Sequence, residues 1–105
     1  MSNEFKKTIR ASELKPAQMK TVESDGESIL LVNAEGKFYG MGAICNHEQW
    51  DLSEGTLKDH HVTCAGHGSV WDLTKGTAEF DEPLNPEPLY DVQVREGFLY
   101  VRKRA

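Results

Sequence analysis

The chain has 105 residues and a formal net charge of −5, from 12 basic and 17 acidic side chains. This length fits one domain over residues 1–105. The acidic balance disfavours nucleic-acid binding, and no apolar run approaches the roughly 20 residues that cross a bilayer. No secretory signal or membrane anchor is evident, so we expect a cytoplasmic protein with no membrane partner, whose thiols stay reduced.

Polar and apolar residues alternate with a period of two along most of the chain, which predicts strands. The predicted strands span residues 5–9, 19–23, 28–33, 37–41, 61–64, 69–73, 90–95 and 98–102. One helical turn is predicted at residues 12–15, before Pro16. Glycine-containing turns separate the strands at short intervals. The pattern predicts an all-β fold, either a small antiparallel β-sandwich or a barrel.

Three segments interrupt the alternation, at residues 43–55, 65–69 and 82–88, and the last contains three of the four prolines. Irregular loops held by a small domain often carry function. His60 and His61, by contrast, are interpreted as solvated residues that enter a strand.

The first two irregular segments contain the candidate metal ligands. Cys45 and His47 are separated by one residue, Cys64 and His67 by two, and 16 residues lie between the pairs. Thiolate and imidazole ligands suit zinc or iron–sulfur chemistry. The short Cys45–His47 spacing is tight for a single zinc ion, whereas two adjacent metal ions could share the four side chains.

Glycines surround the second pair of ligands. Gly66 and Gly68 flank His67, so the backbone has room to approach a bulky inorganic group and to direct N–H groups towards it.

The pattern C-x-H-x16-C-x2-H resembles the signature of Rieske [2Fe–2S] proteins. Gly68 and Trp71 also resemble the second cluster-binding loop and following hairpin of that family, and the segment with Pro83 resembles its proline loop. The resemblance covers roughly residues 40–102. It implies a cluster-binding subdomain at one tip of the β fold, with cluster-binding loops at about 43–50 and 64–69 and the proline loop at about 82–88.

The resemblance also implies the cofactor, which is one [2Fe–2S] cluster. Cys45 and Cys64 would bind one iron, and His47 and His67 would bind the other. Zinc in the same four ligands, or four unrelated residues, are the weaker alternatives.

Two departures from membrane-bound Rieske subunits bear on the site. Trp50 and Gly66 occupy the positions of two cysteines that form a disulfide in those subunits. Ser69 matches a serine that donates a hydrogen bond to sulfur there, but Trp71 replaces a tyrosine donor, and the sequence leaves open whether its indole reaches. One retained donor predicts a potential in the lower part of the roughly −150 to +300 mV Rieske range.

The implied function is that of a ferredoxin, a one-electron carrier and not an enzyme. It would take electrons from a flavin-dependent reductase and pass them to an oxygenase or another redox protein. The main alternative is a small Rieske-type subunit of a multi-subunit oxidoreductase such as a nitrite reductase, which a large exposed apolar patch would favour. A zinc-stabilised interaction module and a cluster-based redox sensor also stay open.

Overall fold

The computed structural model describes residues 4–24, 26–44, 51–65, 68–79 and 86–104. Its strands are β1 (Lys6–Arg10), β2 (Met19–Ser24), β3 (Glu27–Ala34), β4 (Lys37–Gly42), β5 (Thr56–Lys58), β6 (His61–Thr63), β7 (Val70–Asp72), β8 (Ala78–Glu79), β9 (Leu89–Arg95) and β10 (Phe98–Lys103). Two 3₁₀ turns span Ala11–Glu13 and Leu52–Glu54. The first overlaps the predicted helical turn. No helix within these described ranges is long and apolar enough to cross a membrane.

The strands form two antiparallel sheets. The larger sheet has the order β1-β10-β9-β4-β3-β2, and its terminal strands β1 and β2 contact each other, so it curls into a nearly closed barrel. The smaller sheet has the order β5-β6-β7-β8. The predicted all-β antiparallel fold is therefore confirmed. Strands β5 and β8, with three and two residues, were not predicted. Strands β6 and β7 also have only three residues, but they lie within the longer predicted segments 61–64 and 69–73.

Strand β3 is buried on both faces. Its side chains alternate, so Leu30 and Val32 belong to one apolar cluster whereas Ile29 and Leu31 belong to the other. The first cluster joins the barrel to the small sheet and includes Met41, Ala43, Leu52, Val62, Cys64, Trp71 and Leu73. The second includes Leu14, Tyr90, Leu99 and Val101. The small sheet thus packs over the outer face of β3.

The carboxylate of Asp51 connects the segment that leads into β5 to the barrel. Asp51 Oδ1 accepts hydrogen bonds from Thr21 Oγ1 on β2 at 2.6 Å, from Ser53 N at 2.9 Å and from Ser53 Oγ at 2.7 Å. Asp51 is the N-cap of the second 3₁₀ turn. Burial acts to raise the pKa of Asp51, but the hydrogen bonds from Thr21 and Ser53 outweigh it and hold the pKa below its ordinary value of 3.8.

We expect Asp51→Ala to lower the free energy of unfolding by about 1–2 kcal/mol, because the turn loses its cap and Thr21 loses its acceptor. A carboxyl group with a lowered folded-state pKa stabilises the fold fully above its unfolded pKa of 3.8, and this contribution disappears as the pH falls through the folded value. The wild type should therefore lose stability more steeply than the variant below about pH 4. Unfolding curves between about pH 6 and pH 3 measure both effects.

Glu79→Gln is the matched control, because Glu79 is an exposed acidic residue elsewhere in the small sheet. It should change the free energy of unfolding by less than about 0.5 kcal/mol. If the free energy of unfolding of Asp51→Ala fell as steeply below about pH 4 as that of the wild type, the role given to this carboxylate would be contradicted.

Candidate metal centre

Cys64 lies at the tip of the β6–β7 hairpin. It directly follows β6, and Ser69 directly precedes β7. The Cys64 N–H donates to the Ser69 carbonyl at 2.8 Å, and the Gly68 N–H donates to the Cys64 carbonyl at 3.1 Å. Gly68 has φ +78°, a left-handed conformation that glycine adopts without strain. These bonds close a tight loop with Cys64 buried at its base, 2% exposed.

The ends of the other predicted ligand loop are also held together. An antiparallel bridge pairs Ile44 with Asp51, and the Leu52 N–H donates to the Ala43 carbonyl at 2.7 Å. Ala43 and Leu52 are buried in the same apolar cluster as Cys64. The structure therefore brings the base of the 45–50 segment against the base of the Cys64 loop.

The end of the proline-rich segment is fixed beside the same region. The Gly42 N–H donates to the Pro88 carbonyl at 2.9 Å, and the Glu87 N–H donates to the Gly76 carbonyl at 2.8 Å. A Cβ at Gly42 would lie 2.3 Å from Glu87 Oε1 and 3.0 Å from Pro88 Cδ, so a larger residue would have to displace the Glu87 side chain and press on Pro88. The end of the proline-rich segment is thus held between the end of β4 and the β7–β8 turn.

Ser69 and Trp71 form a buried pair next to Cys64. The indole Nε1 of Trp71 donates to Ser69 Oγ at 3.2 Å, and the two side chains are at most 1% exposed. Accepting this bond uses a lone pair of the hydroxyl oxygen, so the hydroxyl keeps its own hydrogen as a donor. The indole N–H that the sequence left unassigned is directed at the serine and orients it.

Several predicted site residues lie outside the described residues. They are Cys45, His47, Trp50, Gly66, His67 and Pro83. Of the four predicted ligands, the structure describes Cys64, and it also describes Gly68, Ser69 and Trp71 around it. The ligand roles of the four side chains stay predictions at this point.

Two features of this region were missed in the sequence. The first is the capping pattern of Asp51 followed by Ser53, which could have predicted the 3₁₀ turn that begins at Leu52. The second feature is a group of His60, His61 and Asp72, whose ligand atoms lie within 4.8 Å of one another. The separation of Asp72 from the histidines in the sequence concealed this group.

Comparison with known proteins identifies the family. The model of the Rieske [2Fe-2S] domain matches residues 4–94. The chain is 30% identical over 102 residues to ferredoxin CarAc of Metapseudomonas resinovorans, covering 96% of this chain and 95% of that protein. It is 34% identical over 73 residues to the ferredoxin component of biphenyl 2,3-dioxygenase of Rhodococcus jostii (strain RHA1), covering 70% of this chain and 68% of that protein.

Solved structures give the same result for the fold. A chain of the complex of reduced oxygenase and oxidized ferredoxin in carbazole 1,9a-dioxygenase superimposes with a TM-score of 0.87 at 26% identity, over 99% of each chain. The ferredoxin of Sphingomonas yanoikuyae B1 has the same fold, with a TM-score of 0.86 at 18% identity, over 96% of this chain and 100% of that one. This chain belongs to the Rieske [2Fe-2S] domain family, and its cofactor is one [2Fe–2S] cluster of Rieske type.

Proposed function

We propose that this protein is a ferredoxin, a one-electron carrier that takes electrons from a flavin-dependent reductase and delivers them to an oxygenase. The observation that carries this proposal is the match with ferredoxin CarAc, because it extends over 96% of this chain and 95% of that protein. A chain of the same fold occurs in a solved complex with an oxygenase. Since these relatives are ferredoxins, we infer that the chain is not itself an enzyme and that it works in the cytoplasm.

The described residues fit a bound cluster. Cys64 offers a thiol at the base of a closed loop, buried against the apolar cluster of Ala43 and Leu52. Its position beside the base of the 45–50 segment supports a centre that Cys45, His47, Cys64 and His67 hold together within the single domain of residues 1–105. The loops at about 43–50 and 64–69 would enclose it, and the proline loop at about 82–88 would cover it.

When bound, a cluster with two neutral imidazole ligands in place of two thiolates accepts and releases one electron at a higher potential than a four-cysteine cluster. Cys64 and Trp71 are buried, so the part of the centre beside them would lie in a low-dielectric environment. Backbone hydrogen bonds fix the ends of the loops. A fixed polypeptide needs little rearrangement when the charge of the centre changes, which suits a carrier.

The described surface favours a carrier over a fixed subunit. A subunit of a larger oxidoreductase would present a sizeable apolar face to its partner. Among the described residues, Val94 is the single large hydrophobic side chain that is exposed, at 54%. The net charge of −5 instead suits a transient encounter steered by charge complementarity.

The function is tested by reductive titration of the freshly isolated protein. We expect about two iron and two acid-labile sulfide per chain, uptake of one electron on titration with dithionite, and an electron paramagnetic resonance signal from the reduced cluster. A colourless protein with one zinc ion and no signal would overturn the proposal.

The ligand assignment is tested by comparing alanine substitutions at predicted ligands with alanine substitutions at the other two histidines. Cys64→Ala, His47→Ala and His67→Ala should each abolish or strongly reduce the iron content and visible absorbance, because a ligand is lost. The other two histidines provide matched controls: His60→Ala and His61→Ala should retain both signals. Iron retained in His67→Ala, or lost equally in all four histidine variants, would refute the assignment.

Ser69 is proposed to raise the reduction potential by donating its hydroxyl hydrogen towards sulfur at the centre. Ser69→Ala should lower the midpoint potential by on the order of 50 mV. The reduced centre carries more negative charge, so the hydrogen bond from Ser69 stabilises it by about 1 kcal/mol more than the oxidised centre. For one electron, about 1.4 kcal/mol corresponds to about 59 mV. Trp71→Phe, which removes the donor that orients Ser69, should lower it by less. Protein-film voltammetry measures both values, and an unchanged potential in Ser69→Ala contradicts this role.

A further inference from the structure

A second group of metal-binding side chains lies on the small sheet, away from the apolar cluster that contains Cys64. His61 Nε2 is 3.6 Å from Asp72 Oδ2, and His60 Nε2 is 3.9 Å from the same oxygen. The side chains of His60 and His61 are 43% and 39% exposed, whereas Asp72 is 17% exposed. An ion in solution can therefore reach the histidines while the carboxylate is held in place.

The local backbone explains why three residues separated along the chain meet here. His61 and Asp72 are paired directly across β6 and β7, which places their side chains on the same face. Consecutive residues of a strand point to opposite faces, but the rings of His60 and His61 lie 4.3 Å apart. The β5–β6 turn makes this possible, because Asp59 takes a left-handed φ of +54° and the chain reverses before His60.

The carboxylate of Asp72 is oriented by its own turn. Its Oδ1 accepts hydrogen bonds from Thr74 N at 2.8 Å and Thr74 Oγ1 at 2.6 Å, which leaves Oδ2 directed at the two imidazoles. Burial acts to raise the pKa of Asp72, but the bonds from Thr74 and the charges of His60 and His61 outweigh it and lower the pKa. Asp72 is therefore ionised at neutral pH, as a metal ligand must be.

The distances are close to those of a metal site. Zinc binds imidazole nitrogen and carboxylate oxygen at about 2.0–2.2 Å, so neighbouring ligand atoms of a tetrahedral site lie about 3.3–3.6 Å apart. The separations of 3.6 and 3.9 Å from Asp72 Oδ2 need a shift of only a few tenths of an ångström. The ligand nitrogens of His60 and His61 lie within 4.8 Å of each other, so they have to move closer by up to about 1.5 Å. Exposed imidazole side chains can make that shift easily.

The surroundings of His60 are open and charged. A cleft of about 250 Å³ lies beside it, lined by Glu35, Lys37 and Asp59 among others. Lys58 is paired directly with His61 across β5 and β6, so two ammonium groups balance the two carboxylates and the negative charge offered to an ion is that of Asp72. The exposed histidine side chains leave access for a water molecule as the fourth ligand, as in zinc sites with three protein ligands.

We propose that His60, His61 and Asp72 form a surface site for one divalent zinc-type cation, separate from the iron–sulfur centre. Cys64 follows His61 by three residue steps along the hairpin, a distance of about 10 Å. The site therefore clamps one end of the β6–β7 hairpin, whereas the other end carries the predicted cluster ligand Cys64. The proposal is independent of the electron-carrier function.

Isothermal titration of the cluster-loaded protein with zinc chloride tests the site. We expect saturation at one equivalent, with a dissociation constant on the order of 10 µM because three partly exposed ligands bind more weakly than a closed structural site. The visible absorbance of the cluster should not change. Magnesium chloride should give no comparable binding, since this hard ion prefers oxygen ligands.

Substitutions separate this site from other histidines of the chain. His61→Gln and Asp72→Asn should each weaken zinc binding at least tenfold. The asparagine keeps an oxygen acceptor for the Thr74 bonds, so the turn is preserved. Asp59→Asn is the control, because it removes a nearby negative charge without removing a ligand, and it should weaken binding by less than either ligand variant.

Thermal unfolding gives a second measurement. Zinc should raise the melting temperature of the wild type and of Asp59→Asn, but not that of His61→Gln, because an ion that binds the folded state stabilises it. Absence of saturable zinc binding to the wild type would show that the three side chains form only an ion-paired cluster. Binding of unchanged affinity in His61→Gln and Asp72→Asn would place the ion elsewhere, and either result overturns the proposal.

Discussion

The structure depends on strand β3 being buried on both faces. One set of its side chains, including Leu31, fills the barrel, and the other, including Leu30, packs against the small sheet. Burial of apolar surface is the main favourable term in folding, so this double contact fixes one sheet on the other. Cys64 and Trp71 belong to the same cluster as Leu30. The position of Cys64, a proposed cluster ligand, is therefore a consequence of how β3 is packed.

The barrel and the small sheet have different roles in this arrangement. The nearly closed barrel is built from long antiparallel pairings and provides a rigid base. The small sheet consists of strands of two or three residues, which could not form a stable sheet alone. The small sheet is stabilised instead by packing over β3 and by the hydrogen bond from Thr21 to Asp51. Its loops can then carry the predicted metal ligands, because the ends of the irregular segments are held by backbone hydrogen bonds.

The two ends of the β6–β7 hairpin offer different sets of candidate metal ligands. The buried end has Cys64 and the Ser69–Trp71 pair, in apolar surroundings that suit a redox centre. The exposed end has two imidazoles and a carboxylate, which suit a hydrated divalent ion. The alternation of a strand produces this separation: Val62 and Cys64 face the core, whereas His61 lies on the outer face.

The sequence alone determined the all-β class, eight of the ten described strands and the chemistry of the predicted ligand set, because alternation and ligand spacing can be recognised along the chain. The short strands Thr56–Lys58 and Ala78–Glu79 could not be predicted, since they exist only through pairing with β6 and β7. The register of β6 against β7 placed His61 opposite Asp72, and the fold directed the Trp71 indole at Ser69. Such contacts depend on packing between distant segments, so only the tertiary structure decided them.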